Sequence, residues 1–155
     1  MTFTTRSITT AAATAAFAAC VLTAAPRAAA QAHVQESGEY VLRASTVSAE
    51  NLPQAMREKY GISTDRNTAV LNITVQRKTG GAAHNVTARL EVSARNLAGL
   101  ETSVDMREVV ANDLVSYMGA YSFLPREVLD FRITAHPLEN QQAITLEFRD
   151  RLGRL

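Results

Sequence analysis

Two histidines are the first candidates for metal binding or acid–base chemistry in this 155-residue chain. His84 lies in a glycine-rich hairpin region, and His136 directly precedes Pro137. Neutral imidazole is the commonest metal ligand in proteins, so the two side chains could share an ion. They lack short-range ligand spacing and have no cysteine near them, which favours solvated loop histidines. We therefore predict no metal site and no cofactor.

A hydroxyl nucleophile would need a base and an orienting acid within reach. Ser63, Thr64 and Asp65 are adjacent, but this composition is also ordinary in turns and helix caps. A G-x-S-x-G nucleophile elbow does not occur in the sequence. Four acidic residues could pair for acid–base chemistry, namely Glu101, Asp105, Glu108 and Asp113. On outward strand faces they are more simply solubilising, so we predict a non-enzymatic protein without catalytic residues.

Residues 1–32 have the pattern of a cleaved export signal. Arg6 supplies the positive charge, and Ile8–Ala25 is an uncharged segment rich in alanine and threonine. Cleavage after Ala30 or Ala32 would satisfy the small-residue rule. A transmembrane anchor would need about 20 strongly apolar residues, and Pro26 interrupts this weakly apolar segment early. We predict a Sec-type signal, a periplasmic or secreted location, and no stable membrane span after cleavage.

Cys20 is the only cysteine and lies inside the predicted signal. Phe17–Cys20 weakly resembles a lipobox, but the apolar segment continues beyond it through Val21 and Leu22, so lipid anchoring is disfavoured. Cleavage would leave no thiol for nucleophilic, redox or metal chemistry. It would also remove two arginines and change the formal net charge from +1 to −1. Such a balanced charge gives no sign of nucleic-acid binding.

Residues 33–38 are polar, and we predict a flexible tail there. Cleavage after Ala32 would place the α-amine of His33 beside its imidazole, a pair that can chelate copper. That possibility depends on one cleavage site within an alanine-rich segment, so a simple tail is the favoured interpretation.

Alternation of apolar and polar residues dominates the sequence after this tail and predicts strands with one buried face. The predicted strands are Tyr40–Thr46, Ala69–Arg77, Val86–Arg95, Leu100–Arg107, Asp113–Phe123, Leu129–His136 and Ile144–Arg149. Short turns separate them, which predicts an all-β domain over residues 39–152, an antiparallel two-sheet sandwich of immunoglobulin-like type. The alternative is an open or partly closed barrel.

Two further features refine this prediction. One helix is predicted over Leu52–Tyr60, with Asn51 as its N-cap, Gly61 as its stop, and a buried stripe that includes Met56. Glu108–Asn112 could form a helical turn or a wide connection. Gly119 interrupts a strand and indicates a bulge or a close approach of two backbone segments.

The chain resembles a family of small exported proteobacterial proteins that is known only as a domain of unknown function. The segments that carry the resemblance are Tyr60–Ile62, Arg66–Val75, Ala94–Leu97, Leu129–Ile133 and Thr145–Phe148. The resemblance covers most of residues 39–150. It implies a periplasmic or secreted bacterial protein with a single β-rich domain, and it implies no catalytic or binding residue.

Outward-facing charges suggest what this domain could do. Arg89, Glu91 and Arg95 interleave along one predicted strand, and Arg132 and Arg149 lie on others. Cross-strand charge pairs explain this pattern, while a partner-binding face is the functional alternative. We predict a protein-interaction or assembly module that uses a sheet face or edge.

Two other functions remain as alternatives. One is a small-molecule site between the Tyr117/Tyr121 strand and the Leu52–Tyr60 helix. The other is an enzyme or metal protein that uses His84 or His136.

Overall fold

The computed structural model describes residues 32–140 and 142–151. Within them the chain forms ten β-strands, one α-helix and a short 3₁₀ turn at Ala49–Asn51. The elements are β1 (Ala32–Ser37), β2 (Tyr40–Ser48), α1 (Gln54–Tyr60), β3 (Thr68–Thr79), β4 (Ala82–Asn85), β5 (Ala88–Asn96), β6 (Glu101–Ser103), β7 (Arg107–Ala111), β8 (Leu114–Ser122), β9 (Val128–Pro137) and β10 (Ile144–Arg151). The predicted signal and Cys20 lie outside the described residues, except that β1 begins at Ala32.

The strands form two antiparallel sheets. Sheet A has the order β1-β2-β3-β8-β7, with β4 also paired to β3, and sheet B has the order β10-β9-β5-β6. The predicted all-β sandwich is therefore confirmed, and the barrel alternative is wrong. No helix within residues 32–140 and 142–151 is long and apolar enough to cross a membrane.

The inward faces of both sheets form one apolar core. In β3 the side chains of Leu71, Ile73 and Val75 are completely buried, and in β9 Ile133 and Ala135 are as well. These residues follow the period of two that the sequence shows, because successive side chains of a strand point to opposite faces. The other face of each strand is therefore available for polar residues.

The chain passes from sheet B to sheet A between β6 and β7. The prediction of one strand over Leu100–Arg107 is wrong, because β6 ends at Ser103 and β7 begins at Arg107 in the other sheet. β7 also replaces the helical turn or wide connection predicted for Glu108–Asn112. Asn112 and Asp113 form the tight turn to β8 with φ values of 50° and 62°, a conformation that Asn and Asp tolerate.

Gly119 lies under this passage, as the predicted close approach requires. A Cβ atom on Gly119 would lie 2.5 Å from Met106 Sδ, 2.8 Å from the Asp105 carbonyl oxygen and 2.9 Å from Val104 Cγ1. A side chain at this position would push the connection away from the core. Glycine thus permits the crossing.

The predicted flexible tail over residues 33–38 needs correction. Residues Ala32–Ser37 pair in continuous register with β2, from Ala32 opposite Ser45 to Ser37 opposite Tyr40. The ring of His33 stacks on Phe148 with 4.0 Å between centroids. The segment is polar because it is an edge strand with little buried surface, not because it lacks structure.

The helix ends as predicted but packs differently. Gly61 has φ 64°, and the Ile62 amide donates to the Arg57 carbonyl at 2.9 Å, a typical C-terminal cap. Pro53, not Asn51, occupies the N-cap position, and no helical residue is buried. Met56 is 37% exposed, so the predicted buried stripe is wrong. A helix of seven residues on the outside of sheet A does not contribute to the core between the sheets.

Replacing Gly119 with alanine is expected to lower the free energy of unfolding by about 1–3 kcal/mol, because the new methyl group must displace the β6–β7 connection. Gly119 has no positive φ, so its backbone conformation itself accepts alanine. Urea denaturation would measure the change. Ala120→Ser, on the opposite face of the same strand, is the control and should unfold like the wild type. Equal stability of Gly119→Ala and the control would contradict the proposed crowding.

Candidate functional site

The three histidines do not form a common site. His33 belongs to β1 and His84 to β4, both in sheet A, while His136 belongs to β9 in sheet B. His84 pairs with Arg77, and His136 pairs with Arg89. Within the described part of the chain, no group of three or more His, Cys, Asp or Glu side chains could hold a metal ion.

The possible hydroxyl nucleophiles form a turn. The Ser63 hydroxyl donates to Asp65 Oδ2 at 2.7 Å, and it accepts from the Asp65 amide at 3.2 Å. The Asp65 carbonyl then accepts from the Thr68 amide, where β3 begins. This arrangement is the structural use of Ser and Asp that turns commonly show.

The four acidic candidates are distributed over β6, the β6–β7 connection, β7 and the β7–β8 turn. Among them, Glu108 lies next to a buried group, because Tyr117 Oη donates to Glu108 Oε2 at 3.4 Å. Burial raises the pKa of Tyr117, so the phenol remains protonated and can donate this hydrogen bond. Tyr117 Oη also accepts a hydrogen bond from the Ala88 amide at 2.8 Å. Nothing in these arrangements indicates catalysis.

The outward face of sheet B has charged residues on three neighbouring strands, and we call it the charged face. It comprises Arg89, Glu91, Ser93, Arg95, Asp130, Arg132, Thr134, Glu147 and Arg149. Strand register arranges these residues in rows. One row places Arg95 opposite Asp130 and Asp130 opposite Arg149, and the next places Arg132 between Ser93 and Glu147. Three of the interleaved charges that the sequence suggested, Arg95, Arg132 and Arg149, therefore lie opposite an acidic residue, whereas Arg89 and Glu91 lie opposite His136 and Thr134.

Two ion pairs fix the side chains in these rows. Arg149 donates two hydrogen bonds to Asp130, at 2.6 Å and 2.9 Å, and Arg132 Nη2 lies 2.8 Å from Glu147 Oε1. The hydrogen bonds and charge of Arg149, with a further contribution from Arg95, lower the pKa of Asp130. The reciprocal interaction raises the pKa of Arg149. These pairs are exposed, so they order the surface more than they stabilise the fold.

Two open depressions adjoin on this face. One has a volume of about 560 Å³ and is lined by both ion pairs, and the other has about 580 Å³ and extends from Arg132 to Met106. Ser93 and Arg132 line both depressions, so the two form a continuous concave surface. Neither is an enclosed cavity of the kind that surrounds a small ligand.

The second depression ends at a part of β5 that has no neighbouring strand on one side. β6 pairs with Ser93–Arg95, and the Val104 amide donates to the Val92 carbonyl, after which the chain leaves for sheet A. No described strand pairs with Ala88–Glu91 on this side. We call this segment the β5 half-edge. The half-edge could not be expected from the sequence, because the alternation of residues predicts one continuous strand over Leu100–Arg107.

The predicted small-molecule pocket corresponds to a smaller depression. A space of about 210 Å³ lies between the end of the helix and β8, lined by Tyr60, Ile62, Met118 and Ala120 among others. Tyr117 and Tyr121 do not line it, because their side chains face the opposite side of sheet A. Its volume is below the range of about 300–1,000 Å³ usual for ligand pockets.

These features define a two-sheet β-sandwich in which the outward face of sheet B carries two adjoining open depressions. The family model for DUF4426, a domain of unknown function, matches residues 34–152, and the chain therefore belongs to the DUF4426 family. The resemblance inferred from the sequence is confirmed.

The fold also matches a solved structure. A crystal structure of a DUF4426 family protein from Pseudomonas aeruginosa PAO1 has a TM-score of 0.68 and 20% sequence identity, and the match covers 79% of this chain and 94% of that chain. Pseudomonas is a proteobacterium, which agrees with the expected relatives. A search of curated proteins returned no match.

Replacing Arg149 with glutamine is expected to raise the pKa of Asp130 toward its ordinary value, because both hydrogen bonds to the carboxylate are lost. Arg95→Gln should raise it less, since Arg95 acts only through its charge. NMR titration of the carboxyl carbon would measure both shifts.

The same pKa shift has a consequence for stability. The folded-state pKa of Asp130 lies below its unfolded value, so the interaction stabilises the fold above the unfolded pKa. That contribution is lost as the pH falls through the folded-state pKa. Arg132→Gln, which breaks the other ion pair, is the control. A larger shift at Asp130 in this control than in Arg149→Gln would contradict the assignment.

Proposed function

We propose that this chain is an exported, non-enzymatic module that binds a protein partner through the charged face of sheet B. The observation that carries the proposal is the pair of adjoining depressions across the outward face of sheet B, with charged side chains held in rows. Protein interfaces use a broad contact area with ordered polar groups, whereas small ligands need enclosure. The open shape of this face therefore supports a protein partner.

The charge pattern supports specificity more than affinity. Arg132 and Arg149 each have an acidic neighbour, so the face is nearly balanced in charge. A partner must match alternating signs, and a wrong alignment would place like charges together. The face is thus suited to recognition of one surface and not to general attraction of anions.

Export is the second part of the proposal. Its support is the positive Arg6, the uncharged segment Ile8–Ala25 and the small residues near Ala30 and Ala32. The described fold contains no cysteine, so its core would be equally stable in an oxidising or a reducing compartment. A periplasmic or secreted location follows from the leader.

Expression of the full chain in a Gram-negative host is expected to yield a periplasmic protein whose first residue is Gln31 or His33. Intact-mass spectrometry of the periplasmic fraction would identify that residue. Leu22→Asp, which places a charge in the apolar segment, should retain the full chain in the cytoplasm. A lipid-modified Cys20 at the N-terminus, or an uncleaved wild-type chain, would contradict the prediction.

Photo-crosslinking in cells would test the binding face. A photoreactive residue at Ser93 or Thr134 is expected to form one discrete protein adduct, whereas the same residue at Thr74, on the outward face of sheet A, should not. Arg132→Glu should reduce the adduct about tenfold or more, because it introduces a like charge beside Glu147 and against the partner. Arg132→Lys is the matched control and should retain the adduct. Equal adducts from both sheets, or an adduct insensitive to Arg132→Glu, would refute the proposed face.

A further inference from the structure

The backbone of the β5 half-edge has hydrogen-bonding groups directed away from the rest of sheet B. In an antiparallel ladder, alternate residues direct their N–H and C=O groups to the same side. The Ala88 amide is directed toward Tyr117 and the Val92 carbonyl toward Val104, so Leu90 between them presents its N–H and C=O to the same open side. Within the described residues, no backbone group bonds Leu90 on that side.

The ends of the half-edge limit what can enter it. At its C-terminal end, Val104 already lies opposite Val92 and is hydrogen-bonded to it. At its N-terminal end, the Ala88 amide is already hydrogen-bonded to Tyr117 Oη. The open positions are therefore those opposite Glu91, Leu90 and Arg89. A segment of three extended residues spans about 10 Å and fits between these limits.

The charges explain why the chain does not fill this space itself. Continuation of the β6 register would place Asp105 opposite Glu91 and Arg107 opposite Arg89. Like charges directly opposite each other destabilise a strand pair. Met106 would meet Leu90 favourably, but both flanking pairs would be repulsive. Glu91 and Arg89 have no ion-pair partner among the described residues.

The space beside the half-edge also has an apolar wall. Glu108 pairs with the inward-facing Tyr117, so Glu108 and Val110 both belong to the inward face of β7. Val110 is nevertheless 58% exposed, because no described strand of sheet B extends beneath it. Leu90 is only partly buried against the core. An inward-facing apolar side chain added beside Leu90 would help to cover both.

We propose that the β5 half-edge binds an extended segment of the partner as an additional antiparallel strand, with the residue order basic, apolar, acidic from N to C. The basic residue lies opposite Glu91, the apolar residue opposite Leu90 and the acidic residue opposite Arg89. The inference rests on the proposed partner-binding function and names the chemistry of the segment that is bound. Main-chain hydrogen bonds to Leu90 supply the attraction, and the two charge pairs supply the specificity.

A second copy of the chain offers the same order in Arg89–Leu90–Glu91. A folded second copy would also place its own β8 next to its own β5, because the Tyr117 side chain of β8 is hydrogen-bonded to the Ala88 amide of β5. In the first copy, the corresponding position at the edge of sheet A is already occupied by β7, which pairs with β8. A segment free of its own sheet fits, and a folded copy does not.

Two heptapeptides of identical composition would test the proposal on the mature protein labelled with ¹⁵N. The peptide Ser-Thr-Lys-Val-Glu-Thr-Ser is expected to shift the Leu90 amide resonance and to bind about tenfold more tightly than Ser-Thr-Glu-Val-Lys-Thr-Ser. The double variant Arg89→Glu/Glu91→Arg should reverse this preference. Leu90→Pro should abolish binding of both peptides, and the fold should tolerate it because the lost N–H does not serve the β9 ladder.

The outcomes separate this inference from the proposed function. If neither peptide shifts Leu90, or if the double variant keeps the wild-type preference, strand addition is wrong. A crosslinked adduct at Ser93 that survives Leu90→Pro would then leave the charged face as the binding surface. A dimer that forms in the wild type and dissociates in Leu90→Pro would overturn the choice of occupant, whereas the double variant would keep such a dimer because residues 89 and 91 of two copies would still carry opposite charges.

Discussion

The shared apolar core to which β3 of sheet A and β9 of sheet B contribute is the interaction on which the rest of the structure depends. Each strand places a row of fully buried side chains in the space between the sheets, with Ile73 and Ile133 among them. No disulfide can support the described fold, because Cys20 lies outside it. Apolar burial at about 25 cal/mol per Å² is the force that holds the sheets together. The strict alternation that this contact requires also leaves the opposite face of sheet B free for charge.

Aromatic rings extend the core contact to one edge. Tyr121 meets Phe131 edge to face at 5.1 Å, Phe131 stacks on Phe148 at 5.0 Å, and Phe148 stacks on His33 at 4.0 Å. The polar strand β1 is thereby attached to the core by one side chain as well as by its ladder with β2. At the opposite edge the β6–β7 connection crosses between the sheets, and Gly119 makes room for it. The two edges are thus joined by different means, and at the second edge no described strand pairs with Ala88–Glu91 of β5.

The features of the fold that could be predicted from the sequence are those that depend on residues close together in the chain. The period of two predicted the buried rows of β3, β5, β9 and β10, because burial on one face acts on every second residue. It could not identify β1, whose ordering comes from β2 and Phe148, or the change of sheets after Ser103. The helix illustrates the same limit: Gly61 stops it through local backbone conformation, whereas the exposure of Met56 depends on what lies opposite.

The candidate site divides in the same way. Outward charges such as Arg132 and Arg149 could be found from alternation, but their partners depend on the register of strands far apart in the sequence. The β5 half-edge has no sequence signal of its own, because an absent neighbour is a property of the whole sheet. The register is also needed to see that Asp105 and Arg107 would lie opposite Glu91 and Arg89 if β6 continued. They carry the same signs as Glu91 and Arg89, so the chain's own continuation is repelled from the edge that a segment of opposite signs would fit.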